Sequence, residues 1–209
     1  MIKILLADDH AIFLQGIKLL LAEERDMKVV AEARNSREVI DHIKKKKFDI
    51  ILLDITMPGK SGIDIIKEIK KIDPDIHVLI LTMHPEDTYA FRAYKSGASG
   101  YITKDNSVSQ LVKVIRKIMV DGEYVSLQYA KKLASGYYKD EKSPLYNKLS
   151  GREFQVFKMI SEGKKVTEIM KIVSLSKSTI NTYRARVLKK LELRSNVDLA
   201  HYAIEHDLI

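Results

Sequence analysis

The sequence contains no cysteine, which excludes a disulfide framework, thiol catalysis and thiolate-bound zinc and fits the reducing cytoplasm. It has no apolar run approaching the ~18–20 residues that span a bilayer, so no membrane partner is expected. The opening MIKILLADDH turns acidic before an apolar core or cleavage site of signal-peptide type is reached. What is present is an ordinary globular composition: 45% hydrophobic and 31% charged side chains over 209 residues. That length suits one large domain or two small ones, and the apolar content is too high for a disordered chain.

Charge is unevenly spread. The chain carries 36 Lys+Arg against 28 Asp+Glu, a formal +8. Residues 1–121 contribute +2 of this and residues 122–209 contribute +6. A positive excess concentrated in the smaller part points to a polyanion partner there.

The first part alternates short Val/Ile/Leu runs with amphipathic stretches. Strands are predicted at 2–7, 29–33, 50–54, 78–82 and 100–102, and helices at 11–24, 36–46, 63–72, 86–96 and 107–120. Continuous apolar runs mark strands buried on both faces, so the pattern predicts a doubly wound α/β fold, a five-stranded parallel sheet with helices on both sides. Residues 122–147, including the polar SGYYKDEKSPLYN, read as a linker with at most one short helix. Residues 148–209 then show helical periodicity without strands, at 151–161, 166–173, 177–191 and 197–206, a small all-α four-helix domain. Ser150 with Glu153 forms a capping box for the first of these, and Asn196 is placed to cap the last.

Chemistry-bearing residues fall at the strand ends: Asp8 and Asp9 after the first, Asp54 at the third, Thr82 at the fourth, Lys104 after the fifth. In a parallel sheet those ends share one edge, where ligands bind. Clustered carboxylates repel unless a cation neutralises them, and hard oxygen ligands suit Mg²⁺. A hydroxyl and an ammonium alongside suit a phosphoryl group, whose oxygens carry spread negative charge. His10 and His84 flank this set and read as helix-start and loop residues, without chemistry of their own.

In the ordered set ILLADDH, IILLDITMPGKSGIDII, VLILTMH and GASGYITKD, the first part resembles the receiver domain of bacterial two-component response regulators. The resemblance implies that Asp54 is the phosphoacceptor for a sensor histidine kinase. It further implies that Asp9 and Asp54 ligate Mg²⁺ with the backbone carbonyl of Thr56 and a water held by Asp8. Lys104 and Thr82 would hold the phosphoryl oxygens, and the switch aromatic Tyr101 would move inward. Lys60 stands where the family commonly has a second Met.

In the last part, 167–173, 174–176 and 177–191 read as helix, tight turn and helix. Ile180, Val187, Leu188 and Leu191 approximate one buried face, while Lys177, Arg184, Arg186, Lys189 and Lys190 leave the remainder basic with no acid among residues 177–190. Such a helix fits a major groove with phosphates on its flanks. The segment from LSGREF to the end resembles the LuxR-type, or NarL/FixJ-type, helix-turn-helix domain. That resemblance implies base-edge contacts from Asn181, Thr182 and Ala185, and phosphate or flanking contacts from Thr179 and the basic residues.

The expectation is therefore a phosphorylation-dependent transcriptional regulator, not an enzyme on outside substrates, binding double-stranded DNA as a homodimer. Its dimer face would be 197–206, with Val197, Leu199, Ala200, Ala203 and Ile204 to bury. A haloacid-dehalogenase-like phosphohydrolase shares the Asp, Thr and Lys set but wants an acid or a DxTGT context after its nucleophile, where this chain has Thr56-Met57-Pro58. A signalling adaptor with a protein-binding C-terminal domain would leave the basic helix unused.

Overall fold

The computed structural model describes residues 1–105, 108–136, 144–206 and 208–209, with the backbone alone at 108 and 109. The predicted helix start at Ser107 and the linker residues 137–143 lie outside the described set. The chain divides into two compact units, Met1–Tyr138 and Lys139–Ile209.

In the first unit, strands β1 (Ile2–Ala7), β2 (Met27–Ala33), β3 (Ile50–Leu53), β4 (His77–Thr82) and β5 (Gly100–Thr103) form one parallel sheet in the order β2-β1-β3-β4-β5. They alternate with α1 (Ala11–Ala22), α2 (Ser36–Lys45), α3 (Gly62–Ile72), α4 (Glu86–Lys95) and α5 (Val108–Asp121). The strand order reverses between β1 and β3, the topological switch point at which such sheets bind ligands. Alternate strand residues face opposite layers. Ile4, Leu6, Ile50, Leu52, Leu79 and Leu81 pack with Leu14, Ile17 and Leu21 of α1 and Leu111, Ile115 and Ile118 of α5. This one core fixes both helices against a single sheet face.

A further helix, α6 (Leu127–Ala134), occupies the segment read as linker. It packs on α4: Tyr129 is buried with its ring 4.8 Å from that of Tyr94, Ser126 donates to Glu86 at 2.6 Å, and Lys132 pairs with Asp87 at 2.7 Å. The burial of Tyr129 is a contact that the composition of the segment did not announce.

The second unit holds a 3-10 turn (Leu145–Lys148) and α7 (Gly151–Ser161), α8 (Val166–Val173), α9 (Lys177–Leu191) and α10 (Asn196–Glu205). Its core is aromatic, with Phe154, Phe157, Tyr146 and Tyr202 in successive ring contact. Ser150 and Glu153 form the expected capping box on α7. The cap of α10 is Ser195 rather than Asn196: Ser195 accepts from Asp198 N–H at 3.1 Å, and the Asp198 carboxylate accepts back from Ser195 N–H. The reciprocal pairing satisfies two donors where Asn196 would satisfy one.

Candidate functional sites

Ladder hydrogen bonds continue past the strand ends and set the edge of the sheet. Asp8 N–H donates to Ala33 O at 3.0 Å, Asp54 N–H to Ala7 O at 2.9 Å, and Lys104 N–H to Thr82 O at 2.8 Å. The backbone thus presents Asp8, Asp54, Thr82 and Lys104 side by side. Lys104 Nζ lies 2.5 Å from Asp8 Oδ2 and 3.4 Å from Asp54 Oδ2. It also sits 4.4 Å above the ring of Phe13, a cation–π contact from α1 that aims the ammonium at the acids. Phe13 carries no sequence signal of this role, since it reads as one more apolar position of α1.

Asp54 is 3% exposed, and its Oδ1 has no hydrogen-bond partner. Burial pushes its carboxyl up to about 6; the neighbouring Asp8 adds to the rise, and the Lys104 charge and Thr82 hydroxyl oppose it. Asp9 lies at the rim, more exposed than Asp8 and Asp54. One ligand atom each from Asp8, Asp9, His10 and Asp54 falls within 4.8 Å of the others. A divalent cation fits this set: three carboxylates converge, and a buried oxygen is left with unshared lone pairs.

The loop after β3 approaches closely because of glycine. A Cβ on Gly62 would stand 2.1 Å from the Asp54 carbonyl oxygen, and Gly59 has φ +93°, where side chains are strained. Next to it, the Thr56 hydroxyl lies 2.9 Å from His84 Nε2, a link between the loops after β3 and β4 that the sequence did not suggest. Tyr101, the expected switch aromatic, lies inside in this structure: it is 2% exposed and its hydroxyl donates to His84 O at 2.9 Å.

In the second unit, Ser174 turns the chain between α8 and α9 in a left-handed conformation (φ 53°), and Ser176 caps α9 by accepting from Thr179 N–H at 3.2 Å. Ile180, Val187 and Leu191 are buried and Leu188 is half-buried, so α9 packs by the predicted face. Asn181, Thr182, Ala185, Arg186 and Lys189 line one shallow outward depression. Lys177 is exposed at the start of the helix, and Thr179 binds the Ser176 hydroxyl at 2.8 Å. Arg184 turns aside, donating to Asn196 at 2.6 Å.

Lys190 is also engaged: its ammonium lies 2.6 Å from the buried Glu153 carboxylate and 3.3 Å from Lys148 O. Burial raises the Glu153 carboxyl, but hydrogen bonds from Lys190 and the Ser150 backbone and the Lys190 charge outweigh it and hold Glu153 below its usual range.

On α10, Leu199 and Ala203 are buried within this unit and are not free for a partner, a correction to the expected dimer face. Val197, 65% exposed, and Ile204, 61% exposed, remain open on the outer side. Among the described residues no helix is long and apolar enough to cross a membrane.

A family profile described as response regulator receiver domain matches residues 4–116, and one described as bacterial regulatory proteins, luxR family, matches residues 147–203. The chain is 34% identical over 210 residues to Response regulator UvrY of Escherichia coli (strain K12), covering 100% of this chain and 96% of that protein. It is 35% identical over 211 residues to Response regulator GacA of Pseudomonas aeruginosa, covering 100% and 98%. Among solved structures, RcsB from Salmonella enterica serovar Typhimurium, bound to promoter rprA in the presence of phosphomimetic BeF3-, matches at a TM-score of 0.67 and 27% identity, covering 96% of this chain and 97% of that one.

Proposed function

This chain belongs to the bacterial response regulators that join a receiver domain to a LuxR-type DNA-binding domain, and we propose that Asp54 is where it accepts a phosphoryl group from a sensor histidine kinase. The observation that carries this reading is the buried Asp54 carboxylate, flanked by Asp8 and Lys104, with Oδ1 unpartnered. We take 1–121 as the receiver, 122–147 as the linker and 148–209 as the DNA-binding domain.

Asp8, Asp9, Asp54 and the Thr56 carbonyl are the groups that would hold Mg²⁺. When bound, the ion offsets the clustered negative charge of the acids and of the arriving phosphoryl oxygens. The Asp54 oxygen forms the new P–O bond as the donor's P–N bond breaks and the released imidazole keeps the electron pair. Lys104, held by Asp8 and Phe13, then pairs with a phosphoryl oxygen, and the Thr82 hydroxyl donates to another. Tyr101 and Thr56 meet at His84, Tyr101 through the backbone carbonyl and Thr56 through the ring. A change at Asp54 therefore has a short bonded route to the start of α4. The chemistry is confined to this acceptor; the chain turns over no outside substrate, and it works in the cytoplasm, where kinase and DNA meet.

We assign Asn181, Thr182 and Ala185 to base edges and Lys177, Thr179, Arg186 and Lys189 to phosphates or flanks. Arg184 and Lys190 support that surface through their protein partners. One solved relative is described as two RcsB dimers bound to two parallel DNAs. For this chain we place the DNA-bound dimer contact on the outer side of α10, with half-sites about one helical turn, or ~34 Å, apart.

The reading is tested by incubating wild type and Asp54→Asn with acetyl phosphate and Mg²⁺ and weighing the intact chains. One phosphoryl group is expected on the wild type and none on the variant; full modification of Asp54→Asn would overturn the assignment. Selection of bound genomic fragments with and without acetyl phosphate reads the output.

A further inference from the structure

We propose that His10 is a nitrogen ligand of the carboxylate cluster after β1, so that this site takes an imidazole-binding divalent ion such as Zn²⁺ more tightly than its carboxylates alone would. The inference rests on the reading of Asp8, Asp9 and Asp54 as a cation site.

The ring is placed by its contacts with the two acids and not by the helix it begins. His10 is the N-cap residue of α1, yet its side chain makes no capping hydrogen bond. Instead Nδ1 lies 3.0 Å from Asp8 Oδ1 and 3.0 Å from Asp9 Oδ1. Two ligand atoms at right angles around one ion, each about 2.1 Å from it, stand about 3.0 Å apart. Nδ1 and the two oxygens therefore already have the spacing of neighbouring corners of a coordination shell.

A neutral imidazole carries its single hydrogen on one nitrogen. With that hydrogen on Nδ1 the ring donates to the acids; with it on Nε2, Nδ1 faces two carboxylate oxygens lone pair to lone pair, an arrangement that a cation converts into three bonds. Asp8 Oδ1 already accepts from the His10 backbone N–H at 2.9 Å, so it does not depend on the ring for a donor.

A second observation points inward from the other side. Asp54, 3% exposed, belongs to the same cluster and has one oxygen, Oδ1, with no partner. The ring itself is 68% exposed, leaving an open side for an ion to enter.

The chemistry of the donor set then discriminates between ions. Mg²⁺ takes oxygen ligands and gives up water reluctantly, so His10 adds little to its binding. Zn²⁺ and Ni²⁺ accept imidazole readily and lie higher in the general affinity order. His10 thus decides which ion competes for the place where the acceptor carboxylate works.

The full chain is titrated by calorimetry with Zn²⁺ and separately with Mg²⁺, as wild type, His10→Gln and His10→Ala. Zn²⁺ affinity at the site from which excess Mg²⁺ displaces it is expected to fall by ~10-fold or more in both variants. Mg²⁺ affinity is expected to stay within ~2-fold, because oxygen ligands carry it. In ¹⁵N-histidine-labelled wild type, Zn²⁺ shifts one imidazole nitrogen signal, and that signal is absent from His10→Gln. Equal Zn²⁺ affinity in all three chains, or no shifted imidazole signal while Mg²⁺ still binds, overturns the role of His10 alone. Mg²⁺ binding that survives Asp9→Asn combined with Asp54→Asn overturns the carboxylates as a cation site, and this inference with it.

Discussion

Asp54 is held in its charged form at a cost. A carboxyl raised from 3.8 to about 6 loses stability to its surroundings at neutral pH, by an amount on the order of 1–3 kcal/mol. Asp54→Asn is therefore expected to melt higher than wild type at pH 7 in the presence of a chelator, even as it loses phosphoryl acceptance. The sign follows from linkage: the folded acid binds its proton more tightly than the unfolded one. Wild type should thus gain on Asp54→Asn as the pH falls through about 6 towards 4. Thermal melts at several pH values check this, and a lower midpoint for the variant at pH 7 would contradict it. At this scale the acids, Thr82 and Lys104 were legible in the sequence, because strand ends in a parallel sheet share an edge. Phe13 beneath Lys104 and the Thr56–His84 link were not, because each depends on where a ring comes to lie in space.

Among the elements, α9 shows how a helix divides its charge. Lys189 faces the depression with Asn181 and Arg186, whereas Lys190, one residue on, turns back to Glu153. Lys189→Gln is expected to weaken binding to all duplexes and to lower the salt slope by about one unit. Lys190→Gln should leave the slope nearly unchanged and destabilise the second unit, because it strands the buried Glu153. Titrations of DNA binding at several salt concentrations separate the two. The Glu153 contribution has its own pH signature. A carboxylate whose folded value lies below its unfolded 4.5 stabilises fully above that pH and loses its contribution as the pH falls through the lower folded value. Acid melts of wild type should show this loss and those of Glu153→Gln should not. Helical periodicity gave the existence and buried face of α9, but not the partner of Lys190, since two basic residues side by side look alike until α7 is placed beside one of them.

For the whole molecule, assembly turns on what each unit leaves uncovered. Leu199 and Ala203 are spent inside the second unit, so of the expected face Val197, Ile204 and the half-buried Ala200 are left for a two-fold contact through α10. Val197→Glu with Ile204→Glu is expected to convert DNA-bound dimers into singly bound monomers while leaving the fold intact, as read by band stoichiometry on a two-half-site duplex. Unchanged dimer binding would move the contact elsewhere.

The sequence by itself determined the two-part organisation, the parallel sheet and the acids at its edge, because hydrophobic period and charge placement are local properties of the chain. It also carried the family motifs in order. Tertiary structure alone decided that α6 packs on α4, that Tyr101 lies inside, that Ser195 and not Asn196 caps α10, and that His10 faces two carboxylates. Each of these depends on a contact between residues brought together by folding or on a choice between adjacent candidates, and neither period nor composition records which partner wins.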